Sequence, residues 1–243
     1  MIRCAAVASR CIRWERGPLH ARTLHSWELT TAEAREVQRD LAPRVSRENA
    51  LSRLPRLIAA ADISGAHRGE EALGAVVVVR YPELDIVEVR TARKRPSMPY
   101  IPGLLSFRET PVLLDVFERL TTAPDLIMVD GHGLAHPRRF GIACHIGVLL
   151  DVPVIGCAKS VLVGKHGPLG RARGSWVELI DEGEVVGAAV RTRDGVTPVY
   201  ASIGHMVDLA AAIEWTLACA TRFRLPEPAR LAHQAASGRL PPT

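Results

Sequence analysis

A chain of 243 residues, 47 % apolar and 23 % charged, can bury a full core, and that composition excludes an intrinsically disordered protein. No apolar run is long enough to span a bilayer, and the formal charge of +5 fits a polyanionic partner without demanding one. Five cysteines (Cys4, Cys11, Cys144, Cys157, Cys219) with no CxxC pair argue against a disulfide framework or a zinc site, and for a reducing compartment.

Residues 1–22 carry Arg3, Arg10, Arg13, Arg16 and Arg22 against one acid, Glu15. That is the texture of a transit peptide, or of a flexible basic extension, which is the simpler reading. A single domain is expected over residues 23–243. Thr30 followed by Glu33 makes a capping box and predicts a helix through Leu41. A second short helix is expected over 47–57. Three strands follow, at 58–63, 73–80 and 84–91, the last two joined by a short link at 81–83. Alanine and valine at every position of 75–79 predict a strand buried on both faces.

A loop rich in Pro and Arg covers 93–103. A helical pattern runs over 106–120, then a buried strand over 126–130 that stops at Gly131-His132-Gly133. Pro137 suits the first turn of a helix reaching Leu150. The remaining expectations are strands at 154–158, 176–180, 185–191 and 199–202, a helix over 208–222, and a last helix from about Pro228. Strands in series followed by alternating helices and strands define an α/β class. The expected sheet is mixed and ribonuclease-H-like, three antiparallel strands and then parallel ones, flanked by helices.

Asp62 and Asp130 each sit at or near the end of an apolar strand. If those strands are neighbours, the two carboxylates converge, and a cation between them would relieve their repulsion. Magnesium suits such hard oxygen ligands, and Glu109, early in the helix at 106–120, offers a third. Taken singly, each acid could equally be a turn or cap residue. Lysine occurs only at Lys94, Lys159 and Lys165. Lys159 ends an apolar strand, where an ammonium could face the same site and answer charge on a phosphate; a solvated strand end is the plain alternative. His132 and His136 have the spacing of a zinc helix, but the glycines around them and Pro137 exclude a helix across both, and no acid stands beside His132 as a general base.

Several ordered segments resemble the endonuclease V family. They are Met98-Pro99-Tyr100-Ile101-Pro102-Gly103 with Leu105-Ser106-Phe107-Arg108-Glu109, Val129-Asp130-Gly131-His132-Gly133 with His136-Pro137-Arg138, Gly156-Cys157-Ala158-Lys159, Gly204-His205, and Arg224-Leu225-Pro226-Glu227-Pro228. The resemblance covers about residues 25–236. It implies a magnesium-dependent DNA repair endonuclease, with Mn²⁺ as a substitute. Such an enzyme nicks at the second phosphodiester bond 3′ to deoxyinosine or another deaminated base, leaving a 3′-hydroxyl and a 5′-phosphate. Asp62, Glu109 and Asp130 match the family's catalytic, metal-binding acids, Lys159 its catalytic lysine, and His233 a position that completes the site through water.

By the same resemblance, Pro99, Tyr100, Ile101 and Pro102 form a wedge that fills the gap left by an everted base. Gly103, Leu105, Gly131, His136, Gly141 and Ile142 line the lesion pocket, and Ser202 and Arg224 contact phosphate or pocket. The expected partner is DNA containing deaminated bases, or RNA, handled by a cytoplasmic monomer with no membrane attachment. An inosine-specific endoribonuclease and a catalytically silent nucleic-acid-binding domain of the same fold are the alternatives.

Overall fold

The computed structural model describes residues 19–51, 54–64 and 71–243. Most of the basic segment 1–22 therefore lies outside the described residues. Its last four residues do not behave as an extension. Leu19 is buried, the Ala21 amide donates to the Glu118 carboxylate (3.3 Å), and the Arg22 amide donates to the Leu149 carbonyl (2.9 Å).

Helix α1 (Thr31–Leu41) begins as its sequence predicts. The Thr30 hydroxyl accepts from the Glu33 amide, and the Glu33 carboxylate accepts from the Thr30 amide. Among the described residues of 47–57 the expected helix does not form; a 3₁₀ turn at Ala42–Arg44 takes its place upstream. Side chains compete for the amides that a helix would use: Asn49 accepts from Leu51 and Ser46 from Glu48. The segment is also pinned to a strand end, with Met206 donating to the Ser46 carbonyl and Ala50 to that of Met206.

Among the described residues, eight strands form one sheet in the order β3-β2-β1-β4-β5-β8-β7-β6. They are β1 (Leu57–Ser64), β2 (Ala72–Arg80), β3 (Asp85–Lys94), β4 (Leu126–Val129), β5 (Val154–Ala158), β6 (Trp176–Asp181), β7 (Glu184–Val190) and β8 (Val199–His205). The antiparallel meander β1–β3 is as expected. The parallel part is shorter than expected: β1, β4 and β5 run parallel, whereas β8, β7 and β6 return to antiparallel pairing. A two-residue turn, Glu182-Gly183, forces this for β6 and β7. Both residues have positive φ (52° and 82°), the twist that closes a hairpin.

Helices cover both faces. Alternation along the strands sends Ile58, Val77 and Met128 to one side, against Leu41, Trp215 of α4 (Leu209–Ala218) and Leu231 of α5 (Glu227–Ala236). Ala59, Val76 and Ile127 face the other side, against Phe117 of α2 (Leu105–Phe117) and Ile146 of α3 (Ile142–Leu150). α3 starts five residues later than Pro137 led us to expect. Arg139 adopts φ 54° and its amide returns to the His136 carbonyl, so residues 137–141 form a turn and Gly141 caps the helix. Cys144, Cys157 and Cys219 are free, buried thiols. No helix among the described residues is long and apolar enough to cross a membrane.

Candidate active site

β1 and β4 are parallel neighbours paired through Ala61 and Val129, one residue before Asp62 and Asp130. The Asp130 amide donates to the Ala61 carbonyl (3.3 Å), which holds the two acids abreast. Both carboxylates are largely withdrawn from water, with side chains 13 % and 10 % exposed. β5 lies beside β4, and Lys159, the residue after β5, places its ammonium on Asp130. On the other acid, Asp62, one oxygen accepts from the Ile63 amide (2.8 Å) and the other lies 2.7 Å from Nδ1 of His233. His233 comes from α5, which packs on β1 and β2.

Glu109 enters from α2. Burial, then the charges of Asp62 and Asp130, push its pKa up to about 8 against the pull of Arg108. Burial and Asp62 raise Asp130 as well, with Lys159 opposing. Burial works against the Lys159 ammonium, but Asp130 outweighs it and the pKa moves up, so this lysine is charged. The three acids lie within electrostatic reach of one another in a poorly solvated place, where an added cation would relieve their repulsion. Among the described residues, no three His, Cys, Asp or Glu side chains close into a ready metal cage. The donor set is nonetheless all carboxylate oxygen, and its excess negative charge fits a hard divalent cation such as magnesium.

The segments on either side of these acids pack together. Gly156 of β5 sits so close to the 131–133 turn that a Cβ there would lie 2.7 Å from both the Gly131 carbonyl oxygen and the Gly133 amide nitrogen. Ser202, fully buried, accepts from the Gly133 amide (2.9 Å). It holds this turn from beneath and presents nothing to an incoming ligand. Arg224, half-buried, donates from Nη2 to the carbonyls of Lys159 and Pro198.

Of the remaining pocket candidates, a Cβ at Gly131 would lie 2.5 Å from the Ile142 side chain, and the Gly141 amide donates to the Gly133 carbonyl (3.0 Å). His136 is buried and its pKa falls to about 4, burial being the main cause. Its neutral ring is fully used: Nε2 meets the Gly103 carbonyl (3.0 Å) and Nδ1 accepts from the Arg138 amide (3.2 Å). It offers no free nitrogen to a ligand. Leu105 opens α2 directly after the loop.

That loop, 99–102, is anchored at one end by buried Met98 and at the other by Gly103, whose φ of +77° excludes most side chains. Between them Tyr100 stands 66 % exposed. An aromatic ring left in solvent on a stiff, two-proline loop is held there by its backbone and not by burial. Gln38, fully buried in α1, also reaches Gly103, a role that sequence reading missed. Its only sequence signal is a polar residue on the apolar stripe Ala34, Gln38, Leu41.

The crystal structure of endonuclease V from Streptomyces avermitilis superimposes with a TM-score of 0.83 at 40 % identity, covering 88 % of this chain and 94 % of that one. Mixed-sheet fold and relatives together define a nuclease of the α/β class. The Endonuclease V family model matches residues 39–234, and endonuclease V of Roseiflexus castenholzii is 51 % identical over 218 residues, covering 89 % of this chain and 97 % of that protein. The chain belongs to the endonuclease V family. A further similar structure is Ciona intestinalis endonuclease V in complex with a 24mer DNA containing an inosine followed by a ribo-adenosine. It has a TM-score of 0.74 at 27 % identity and covers 85 % of this chain and 96 % of that one.

Proposed function

We propose that this chain is a magnesium-dependent DNA repair endonuclease that nicks at the second phosphodiester bond 3′ to deoxyinosine or another deaminated base. The products are a 3′-hydroxyl and a 5′-phosphate, and the enzyme works as a cytoplasmic monomer. The observation that carries the reading is the meeting of Asp62, Glu109 and Asp130 with Lys159 and His233 at the ends of adjacent strands.

Asp62 and Asp130, with Glu109, would hold magnesium, or manganese in its place; when bound, it supplies Lewis acidity at the phosphate and neutralises the crowded acids. His233, whose Nδ1 lies 2.7 Å from Asp62, or Glu109 would orient or deprotonate the attacking water. Glu109, with a pKa of about 8, is protonated at neutral pH until a cation joins the site. Lys159 answers the negative charge that grows on the phosphoryl group. In the same reading Pro99, Tyr100, Ile101 and Pro102 are the wedge. Gly103, Leu105, Gly131, Gly141 and Ile142 shape the lesion pocket, and His136 frames it.

The DNA bound by the Ciona relative contains an inosine, which supports an inosine-bearing strand as substrate; its ribo-adenosine favours a second reading, cleavage of inosine-containing RNA. The test is nicking of matched inosine-bearing DNA and RNA, with magnesium or with a chelator, by the wild type and Asp130→Ala. A nick one bond beyond the inosine that needs magnesium and disappears in the variant supports the proposal. Cleavage of RNA alone selects the second reading. No cleavage of either strand by folded wild type removes both.

A further inference from the structure

The 99–102 loop and the 131–142 pocket segment come from distant parts of the chain, yet one buried side chain touches both. Gln38 is 0 % exposed, and each of its polar atoms is engaged. Its amide nitrogen donates to the Gly103 carbonyl (3.1 Å), where the loop ends, and to the Phe140 carbonyl (3.0 Å), directly before Gly141 and Ile142. Its oxygen accepts from Nε of Arg138 (2.5 Å). Arg138 in turn donates to Gly103 (2.7 Å), and His136 meets the same carbonyl (3.0 Å).

A planar amide with two hydrogens and one acceptor has fixed directions, so these contacts set a distance and an angle between loop and pocket. The helix that presents Gln38 is itself rigid. A capping box starts it, and Ala34 packs with Met98, Leu104 and Phe107 around the base of the loop. The loop therefore cannot slide relative to the pocket without stripping buried carbonyls of their donors, which is costly away from water.

We propose that Gln38 is a positioning residue that locks the exposed Tyr100 loop in register with the pocket, so that α1 belongs to the lesion-recognition apparatus. This inference rests on the proposed reading of loop and pocket. Register matters only where a base must leave a stack while something fills its place. A duplex substrate should therefore feel the loss of Gln38 far more than a single strand, whose bases unstack at little cost.

The test compares wild type and Gln38→Met, a near-isosteric change, on inosine-bearing duplex and on the same oligonucleotide single-stranded. Melting curves and the fluorescence of a 2-aminopurine next to the inosine are recorded alongside. Expected for Gln38→Met is a duplex nicking rate lowered by about tenfold or more and a weaker eversion signal, with single-strand nicking within about threefold of wild type. Gln38→Glu keeps the acceptor for Arg138 but loses both donated bonds, and is expected to show the same duplex-selective defect. Parallel loss on both substrates, with or without early melting, would make Gln38 a packing residue and overturn the inference. So would unchanged duplex nicking in either variant. A wild type that nicks neither substrate defeats the functional reading itself, which separates the two failures.

Discussion

Lys159 is one of three lysines in the chain, and it meets the buried carboxylate of Asp130 at the end of a buried strand. If it serves the phosphoryl group and not the fold, Lys159→Ala should lower kcat by about 10²–10³ while KM for inosine DNA changes little. Single-turnover nicking at saturating enzyme would show this, and a large rise in KM alone would assign Lys159 to binding. Glu109 gives a second test at this scale. Its folded pKa, about 8, lies above the ordinary carboxylate value, so between the two the folded state holds a proton that the unfolded state has lost. Its contribution is full below the ordinary carboxylate pKa and is lost as pH rises through about 8. Without divalent cation, the wild type should lose stability over that range relative to Glu109→Gln, and the two should converge in acid. Melting temperatures against pH in chelator would show the convergence, and parallel curves would contradict the raised pKa.

At the level of elements, the site depends on how closely β5 approaches the turn after β4. Gly156→Ala places a methyl 2.7 Å from backbone atoms of Gly131 and Gly133, and 2.9 Å from the Ser202 hydroxyl. Backbone cannot rotate away as a flexible side chain can, so the strand or the turn must move. The expected cost is about 1–3 kcal/mol, with a further loss of nicking because Asp130 begins that turn. Denaturant unfolding and nicking measured on one preparation would check both, and an unchanged midpoint would show the turn to be compliant. This is also where sequence reading met its limits. The strands were legible because runs such as Ala75–Val79 cannot be stable unless buried on both faces. The helix expected over 47–57 failed because Ser46 and Asn49 bind local amides and Met206 clamps the segment. The start of α3 was misplaced because Pro137 fits a turn as well as it fits a first helical residue.

For the molecule as a whole, the folded body begins no later than Leu19. A chain beginning at Thr23 should be less stable than one beginning at Leu19 by about 2 kcal/mol, from the lost burial of Leu19 and the uncovered Leu149 carbonyl. Equal melting temperatures would show that those contacts add nothing. The centre of the sheet and the helices packed on it divide the work of positioning. The parallel centre β1, β4 and β5 brings Asp62, Asp130 and Lys159 side by side, and the helices on the two faces deliver Glu109 and His233 to that edge.

The sequence by itself determined the α/β class, the strands that carry Asp62, Asp130 and Lys159, the cap of α1, and, through its ordered motifs, membership of the endonuclease V family. These are local properties, set by periodicity, chain direction and short-range hydrogen bonding. Tertiary structure alone decided that His233 pairs with an acid 171 residues away, that Ser202 accepts from the Gly133 amide, and that Arg224 reaches the Pro198 carbonyl. It also decided that His136 has no free nitrogen and that Gln38 joins loop to pocket. Each of these depends on which side chain a distant segment brings within three ångströms, and a hydrogen bond of that reach leaves no periodicity in the chain.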